Sequence, residues 1–157
     1  MRLWTPSGVR AVVQRVSRAS VTVGGAEVSS IGPGLLVLLG VATDDDHADA
    51  VWLADKVRQL RVFPDNSSVM NRSVTESNGA ILVVSQFTLH GDARRGRRPS
   101  YIGAAASEKA EALYRDFIDV LRARDVEVAE GVFQAMMQVE LVNDGPVTIL
   151  LDSKKNF

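Results

Sequence analysis

Leu35-Leu36-Val37-Leu38-Leu39-Gly40-Val41 decides the reading of the fold, because it is apolar throughout and shows no in-and-out alternation. A run of that length and type is a strand covered on both faces. Gly32-Pro33-Gly34 punctuates the chain just before it. Further upstream, Arg10–Val16 and Ala19–Val23 are β-branched runs with partial alternation, separated by Ser17-Arg18 and closed by Gly24-Gly25. They predict two or three antiparallel strands at the start of the domain.

Downstream, Thr43-Asp44-Asp45-Asp46 sets a capping hydroxyl three places before a carboxylate, and the acidic residues suit the positive end of a helix dipole. A helix is predicted from about Asp44 to Leu60, with Val51, Ala54, Val57 and Trp52, Leu53, Leu60 at helical spacing. Arg61–Phe63 reads as a short strand ended by Pro64-Asp65-Asn66, and Asn78-Gly79 turns the chain into a second buried strand, Ala80–Phe87. A second helix starts at Ser107, carries Ala110, Leu113, Tyr114, Phe117, Ile118 and Leu121 on one stripe, and ends near Arg124-Asp125. Strands follow at Val126–Val128, Met136–Val142 and Val147–Leu151, the last two parted by Asn143-Asp144-Gly145-Pro146, which locally reads as a hairpin turn. This order predicts an α+β fold: a mostly antiparallel β-sheet domain backed by two main helices.

Composition narrows the chemistry. The 157 residues include no cysteine, which excludes disulfides, cysteine nucleophiles and cysteine-ligated zinc, and only two histidines, His47 and His90, so a multi-histidine metal site is hard to build within one chain. No apolar run approaches the roughly 20 residues of a membrane span, and Pro6-Ser7-Gly8 interrupts any secretory apolar region near Met1. A cytoplasmic protein without a membrane partner is expected. The charge is −1 at pH 7, yet the chain is rich in arginine relative to lysine. Four arginines fall within five positions in Asp92-Ala-Arg94-Arg95-Gly96-Arg97-Arg98-Pro99-Ser100, a candidate phosphate-binding loop flanked by one aromatic residue, Tyr101.

Two other segments are unusual for scaffolding. Ser85-Gln86-Phe87-Thr88-Leu89 ends an apolar strand in two hydroxyls, an amide and a ring, groups that can hydrogen-bond and stack on a ligand. Asn143-Asp144-Gly145-Pro146-Val147-Thr148 is either a turn or, with a cis proline, a pair of carbonyls set side by side. Asp44–Asp46 reads most simply as a solvated helix entry, the alternative being a carboxylate metal site.

Taken together, Arg10–Val23, Gly34–Gly40, Ser85–Leu89, Arg97–Ser100 and Met137–Thr148 resemble the D-aminoacyl-tRNA deacylase family in order and spacing from about Val9 to Ser153. The resemblance implies a homodimer with shared active sites that hydrolyses the ester joining a D-amino acid to the 3′ end of tRNA, with no cofactor or metal and no DNA partner. It implies that Ser85, Gln86, Phe87 and Thr88 of one subunit face Gly145 and Pro146 of the other, with Arg15 steadying the Gly-Pro element and Phe133 and Met137 near the terminal adenosine. Arg94, Arg95, Arg97 and Arg98 are expected to attract tRNA phosphates. A cis Gly-Pro element offering paired acceptors to the α-ammonium would leave the side chain two directions, so that an L substrate is rejected by collision.

Thr88 is then a positioning residue, with backbone donors of Ser85–Phe87 facing the ester oxyanion and the ribose 2′-hydroxyl assisting the chemistry. Were Thr88 a nucleophile instead, its base would be His90, which shares its face if the strand continues. Two features depart from the family pattern. Residues 1–8 form an N-terminal extension ahead of a single domain spanning 9–157, and Gln134 stands where the family commonly has glycine. Two other readings are open at this stage: an RNA-end-binding module without turnover, and a metal-dependent hydrolase using Asp44–Asp46.

Overall fold

One long strand, β1 (Arg10–Val23), organises the sheet. It is followed by β2 (Ala26–Ile31) and β3 (Gly34–Gly40), α1 (His47–Gln59), a small ribbon of β4 (Phe63–Pro64) and β5 (Met70–Arg72), β6 (Ala80–Ser85), a four-residue 3-10 helix (Phe87–His90), α2 (Ser107–Ala123), β7 (Glu127–Glu130) and β8 (Gln138–Asp152). This computed structural model describes residues 8–157; the extension expected at 1–8 lies, apart from Gly8, outside the described residues. One edge of β1 pairs antiparallel with β8 along nearly its whole length. The other pairs antiparallel with β3 along Arg10–Val16 and with β2 along Ala19–Val23. Ser17-Arg18 therefore does not break the strand.

From β3 the sheet continues through β6 to β7, and both of those pairings are parallel. The fold is α+β with two main helices, and its sheet is mixed. Parallel neighbours require a crossover between them. The segment carrying α1 supplies the first and α2 the second. Burial on both faces follows: Leu35, Leu36, Val37 and Leu39 of β3 and Ile81 to Val83 of β6 are all at most 1% exposed. α2 lays Leu113, Tyr114, Phe117, Ile118 and Leu121 onto one face, where α1 adds Leu53, Ala54 and Val57. Complete burial of such side chains is worth about 1.5–3 kcal/mol each. A second cluster, including Val16, Val21, Leu36, Leu82 and Val84, fills the other face.

Helix α1 starts three residues later than the sequence suggests. Asp46 is its cap, accepting from the Asp49 amide while the Asp49 carboxylate accepts from the Asp46 amide. Thr43 lies outside the helix, its amide donating to Gly103 O and its carbonyl accepting from Lys109 Nζ. Asp45 turns inward to accept from the Ala42 amide at 2.6 Å, leaving its buried Oδ1 without a partner among the described residues.

Burial, with repulsion from Asp49 and Asp152, outweighs the Ala42 bond and the nearby Lys154 charge and raises the Asp45 pKa from 3.8 to about 6. A carboxyl whose pKa is raised by folding binds more protons folded than unfolded, so stability falls as pH rises between those two values. Asp45→Asn keeps an acceptor for Ala42 and cannot ionise. It is expected to be more stable than the parent at pH 7.5 by on the order of 2 kcal/mol, with the gap shrinking toward pH 4. Urea unfolding at the two pH values measures this, and a gap independent of pH would refute it.

Candidate active site

β6 ends at Ser85, two residues before the predicted end of the strand. The Gln86 amide still reaches Leu39 O at 2.7 Å, after which Phe87–His90 winds into the 3-10 helix with the Leu89 amide on Gln86 O. Two expectations change as a result. Gln86 N–H is already committed, so the donors left at this strand end are those of Phe87 and Thr88, which have no acceptor inside the short helix. His90 does not share a face with Thr88: it is 5% exposed, and its Nε2 donates to Gly40 O at 3.0 Å. Burial pushes its imidazole below the ordinary value. The Thr88 hydroxyl instead meets Gln86 Nε2 at 3.0 Å.

Other predicted residues gather around this strand end. The Gly131 amide donates to Val83 O and so holds the 131–137 loop against β6. Within that loop Phe133 lies tilted against Tyr114, ring centroids 5.8 Å apart, and Met137 Sδ accepts from the Val132 amide. Gln134 adopts φ 64°, the left-handed conformation that favours glycine, and its side chain donates to Ser107 Oγ. The chain thus keeps a glycine-like backbone where the family pattern has glycine. On the other side, Phe87 packs edge-on to Tyr101 at 5.1 Å, at the foot of a hairpin closed by reciprocal bonds between Asp92 and Ser100. At its tip Arg94 is bound to the Asp92 carboxylate by Nε and Nη2. Arg95, Arg97 and Arg98 are exposed, with no ion pair among the described residues.

Gly145-Pro146 stands apart. What reads as a turn lies inside one continuous strand, because both halves of β8 pair with β1 and only the ladder around Gln14–Arg18 is irregular. The Gly145-Pro146 peptide is cis, and Gly145 has φ 129°. Proline has no amide to give the ladder; the Asn143 side chain spans the gap, accepting from the Val147 amide and donating to Thr148 Oγ1. Arg15 reaches across from β1. Its Nε donates to Asp144 O at 3.2 Å with the Asp144 carboxylate at 3.5 Å, and its Nη1 donates to Val62 O at 2.6 Å.

Within one chain these two groups do not meet. Ser85, Leu39, Ala11 and Leu151 lie in one row across β6, β3, β1 and β8. Gly145-Pro146 is displaced along β8 from that row by about five residues. Three strand spacings of about 4.8 Å combined with about five steps of about 3.3 Å give a separation on the order of 20 Å. One arginine was missed by the sequence reading: Arg10 donates to Leu89 O and to the buried Asp152 carboxylate, fastening the 3-10 helix to both ends of the domain. A lone arginine in a β-branched run gives no signal of such a role. Asp46 serves as the helix cap and Asp45 Oδ2 accepts from the Ala42 amide.

A family model described as D-Tyr-tRNA(Tyr) deacylase matches residues 12–152. The chain is 62% identical over 149 residues to the D-aminoacyl-tRNA deacylase of Symbiobacterium thermophilum, covering 95% of this chain and 99% of that one. It is 58% identical to that of Syntrophobacter fumaroxidans, covering 95% and 100%. A solved structure titled c-Myc DNA Unwinding Element Binding Protein is 44% identical, with a TM-score of 0.85 over 90% of this chain and 97% of that chain. A probable eukaryotic D-amino acid tRNA deacylase, at 19% identity, shares the fold with a TM-score of 0.78 over 92% and 98%. The class these matches define is a hydrolase. The chain belongs to the D-Tyr-tRNA(Tyr) deacylase family.

Proposed function

We propose that the protein is a chiral proofreading enzyme that hydrolyses D-aminoacyl-tRNA to free D-amino acid and tRNA, working as a homodimer in the cytoplasm. The observation that carries the dimeric reading is the separation, on the order of 20 Å, between Ser85–Thr88 and Gly145-Pro146 of one chain. A pocket using both needs the second half from another copy. Exposed Val142 and Leu150 on β8 give apolar surface for such an association.

In the assembled pocket, Gly145 and Pro146 of the partner subunit take the substrate's α-ammonium on their carbonyls while Arg15 steadies that segment. The amides at Phe87 and Thr88 face the ester carbonyl oxygen, and Phe133 and Met137 line the adenosine end. Water adds to the ester carbonyl, the bond to the ribose 3′-oxygen breaks, and that oxygen takes up a proton. The 2′-hydroxyl beside it guides the proton transfer. An L side chain would point at backbone and be excluded by collision.

Incubation with D- and L-aminoacyl-tRNA, with and without chelator, tests the activity: D-ester loss that a chelator does not slow is expected. Binding without turnover would favour an RNA-end-binding module. Sedimentation of a fully active monomer would overturn the shared-site reading.

Arg95, Arg97 and Arg98 serve as phosphate contacts without setting chirality, and Arg94 less so, because Asp92 already neutralises it. Replacing Arg95 and Arg97 by Ala is expected to weaken tRNA binding and to flatten the slope of log K against log salt by about 1.4–1.8, leaving the D:L ratio unchanged. A salt titration of binding reads the slope. An unchanged slope would remove this hairpin from the RNA footprint.

A further inference from the structure

Arg15 holds two backbone carbonyls, and the mechanism above uses only one. Its Nε takes Asp144 O, next to Gly145, while its Nη1 makes the shorter bond, 2.6 Å, to Val62 O. A guanidinium gripped by a single carbonyl can still swing on its stem; a second acceptor fixes the fork. The placement of Val62 O therefore sets the placement of Gly145-Pro146.

Val62 and Phe63 are buried, at 6% and 7% exposure, but the ribbon that begins at Phe63, directly after Val62, joins through only two residue pairs, with a register irregularity between them. So short a ladder defines a register weakly. What fixes it is a latch on its exposed side. Arg61 donates by Nε to Asn71 O and by Nη2 to Asn71 Oδ1. Asn71 Nδ2 donates in turn to Asp65 Oδ2, and Asp65 Oδ1 accepts from the amides of Ser67 and Val69. The latch is polar and peripheral, so it contributes little to the core. Its geometric effect is to hold the residue immediately after Arg61, whose carbonyl grips Arg15.

We propose that Arg61 and Asn71 are positioning residues for the chiral filter, acting through Val62 O and the Arg15 guanidinium; this rests on the deacylase reading above. Misplacement of a reacting geometry by 1 Å can cost about 100-fold in rate, so a loosened latch has room for a measurable effect without touching substrate.

The test is a double-mutant cycle. Arg61→Met and Asn71→Ala are made in the parent and in an Arg15→Ala background, and kcat/KM is measured with D- and L-tyrosyl-tRNA alongside Tm. Each single variant is expected to lose about tenfold in kcat/KM for the D substrate, mostly in kcat, and to narrow the D:L ratio. In the Arg15→Ala background the same changes should cost less than about twofold, since the path they act through is gone. Arg61→Lys, which keeps one donor, should recover part of the loss. Arg61 is exposed, so Arg61→Met keeps the cycle interpretable if Asn71→Ala folds poorly. Additive losses, or losses that follow Tm with an unchanged D:L ratio, would overturn this inference alone. An Arg15→Ala enzyme with full discrimination would overturn the filter reading and this inference with it.

Discussion

Gly145→Ala is expected to lower kcat/KM for D-aminoacyl-tRNA by about 100-fold or more while the protein still folds and associates. A Cβ at this position would sit 2.8 Å from Val147 Cγ2 and 3.1 Å from both Arg15 Nη2 and the Val147 amide nitrogen. The backbone φ of 129° lies where L side chains rarely go, at a cost on the order of 1–3 kcal/mol. The contacts to Val147 and the backbone penalty are relieved only by moving the segment, and that, like any displacement of Arg15, shifts the carbonyls proposed to take the α-ammonium. A shift of about 1 Å is enough for the stated loss. Gly96 is the matched control, with φ 144° and nothing within 4 Å of an added Cβ. Gly96→Ala meets a similar backbone penalty in the basic hairpin, and its D:L ratio should stay at the parent value. Single-turnover deacylation of D- and L-substrates, with sedimentation of each variant, separates site damage from dissociation. Undiminished D-hydrolysis by Gly145→Ala would end the assignment of this segment to the filter.

The same segment shows where local sequence reasoning reaches its limit. Asn, Asp, Gly and Pro in succession carry every mark of a turn, yet the chain runs straight on. The reason is tertiary: β1 supplies fourteen residues against which both halves of β8 can pair, and the Asn143 side chain ties across the proline by accepting from the Val147 amide. Ser17-Arg18 does not break the strand for a similar reason: β8 pairs with Val16 and Arg18 on one edge, while on the other β3 ends at Val16 and β2 takes over at Ala19. The mixed character of the sheet was more accessible. The two runs without alternation, in β3 and β6, pair parallel with each other at the centre of the sheet, where both faces are covered, and the edge strand β7 adds a second parallel pairing without such a run. The apolar stripe of α2 was legible in full, because helical periodicity depends on the segment alone. The site divides along the same line. Ser85–Thr88 stand out as polar residues closing an apolar strand, whereas the bond from Arg15 to Val62 O spans 47 residues and involves a backbone atom, which residue types do not encode.

A tRNA ending in 2′-deoxyadenosine, with the D-amino acid carried on its 3′-hydroxyl, is expected to react about 10²–10⁴ times more slowly than the ribose substrate, the range of a lost general acid–base contribution. Thr88→Ala should remain within about tenfold of the parent. Nucleophilic attack by Thr88 needs a base within hydrogen-bond reach. The Thr88 hydroxyl is paired with the Gln86 amide, a neutral group that takes up no proton, and the nearby His90 is buried with its Nε2 on Gly40 O. Desolvation further disfavours a protonated His90 imidazole. In the mechanism we propose, proton handling at the ester falls to the group beside the scissile bond, the ribose 2′-hydroxyl. The protein's part is to hold the ester and its oxyanion in place, which loss of the Thr88 side chain disturbs only through Gln86. Rapid-quench deacylation of both substrates by both enzymes reads the four rates. If Thr88→Ala abolished turnover while the deoxy substrate reacted at the parent rate, the protein hydroxyl would be the nucleophile and the substrate-assisted mechanism would be wrong.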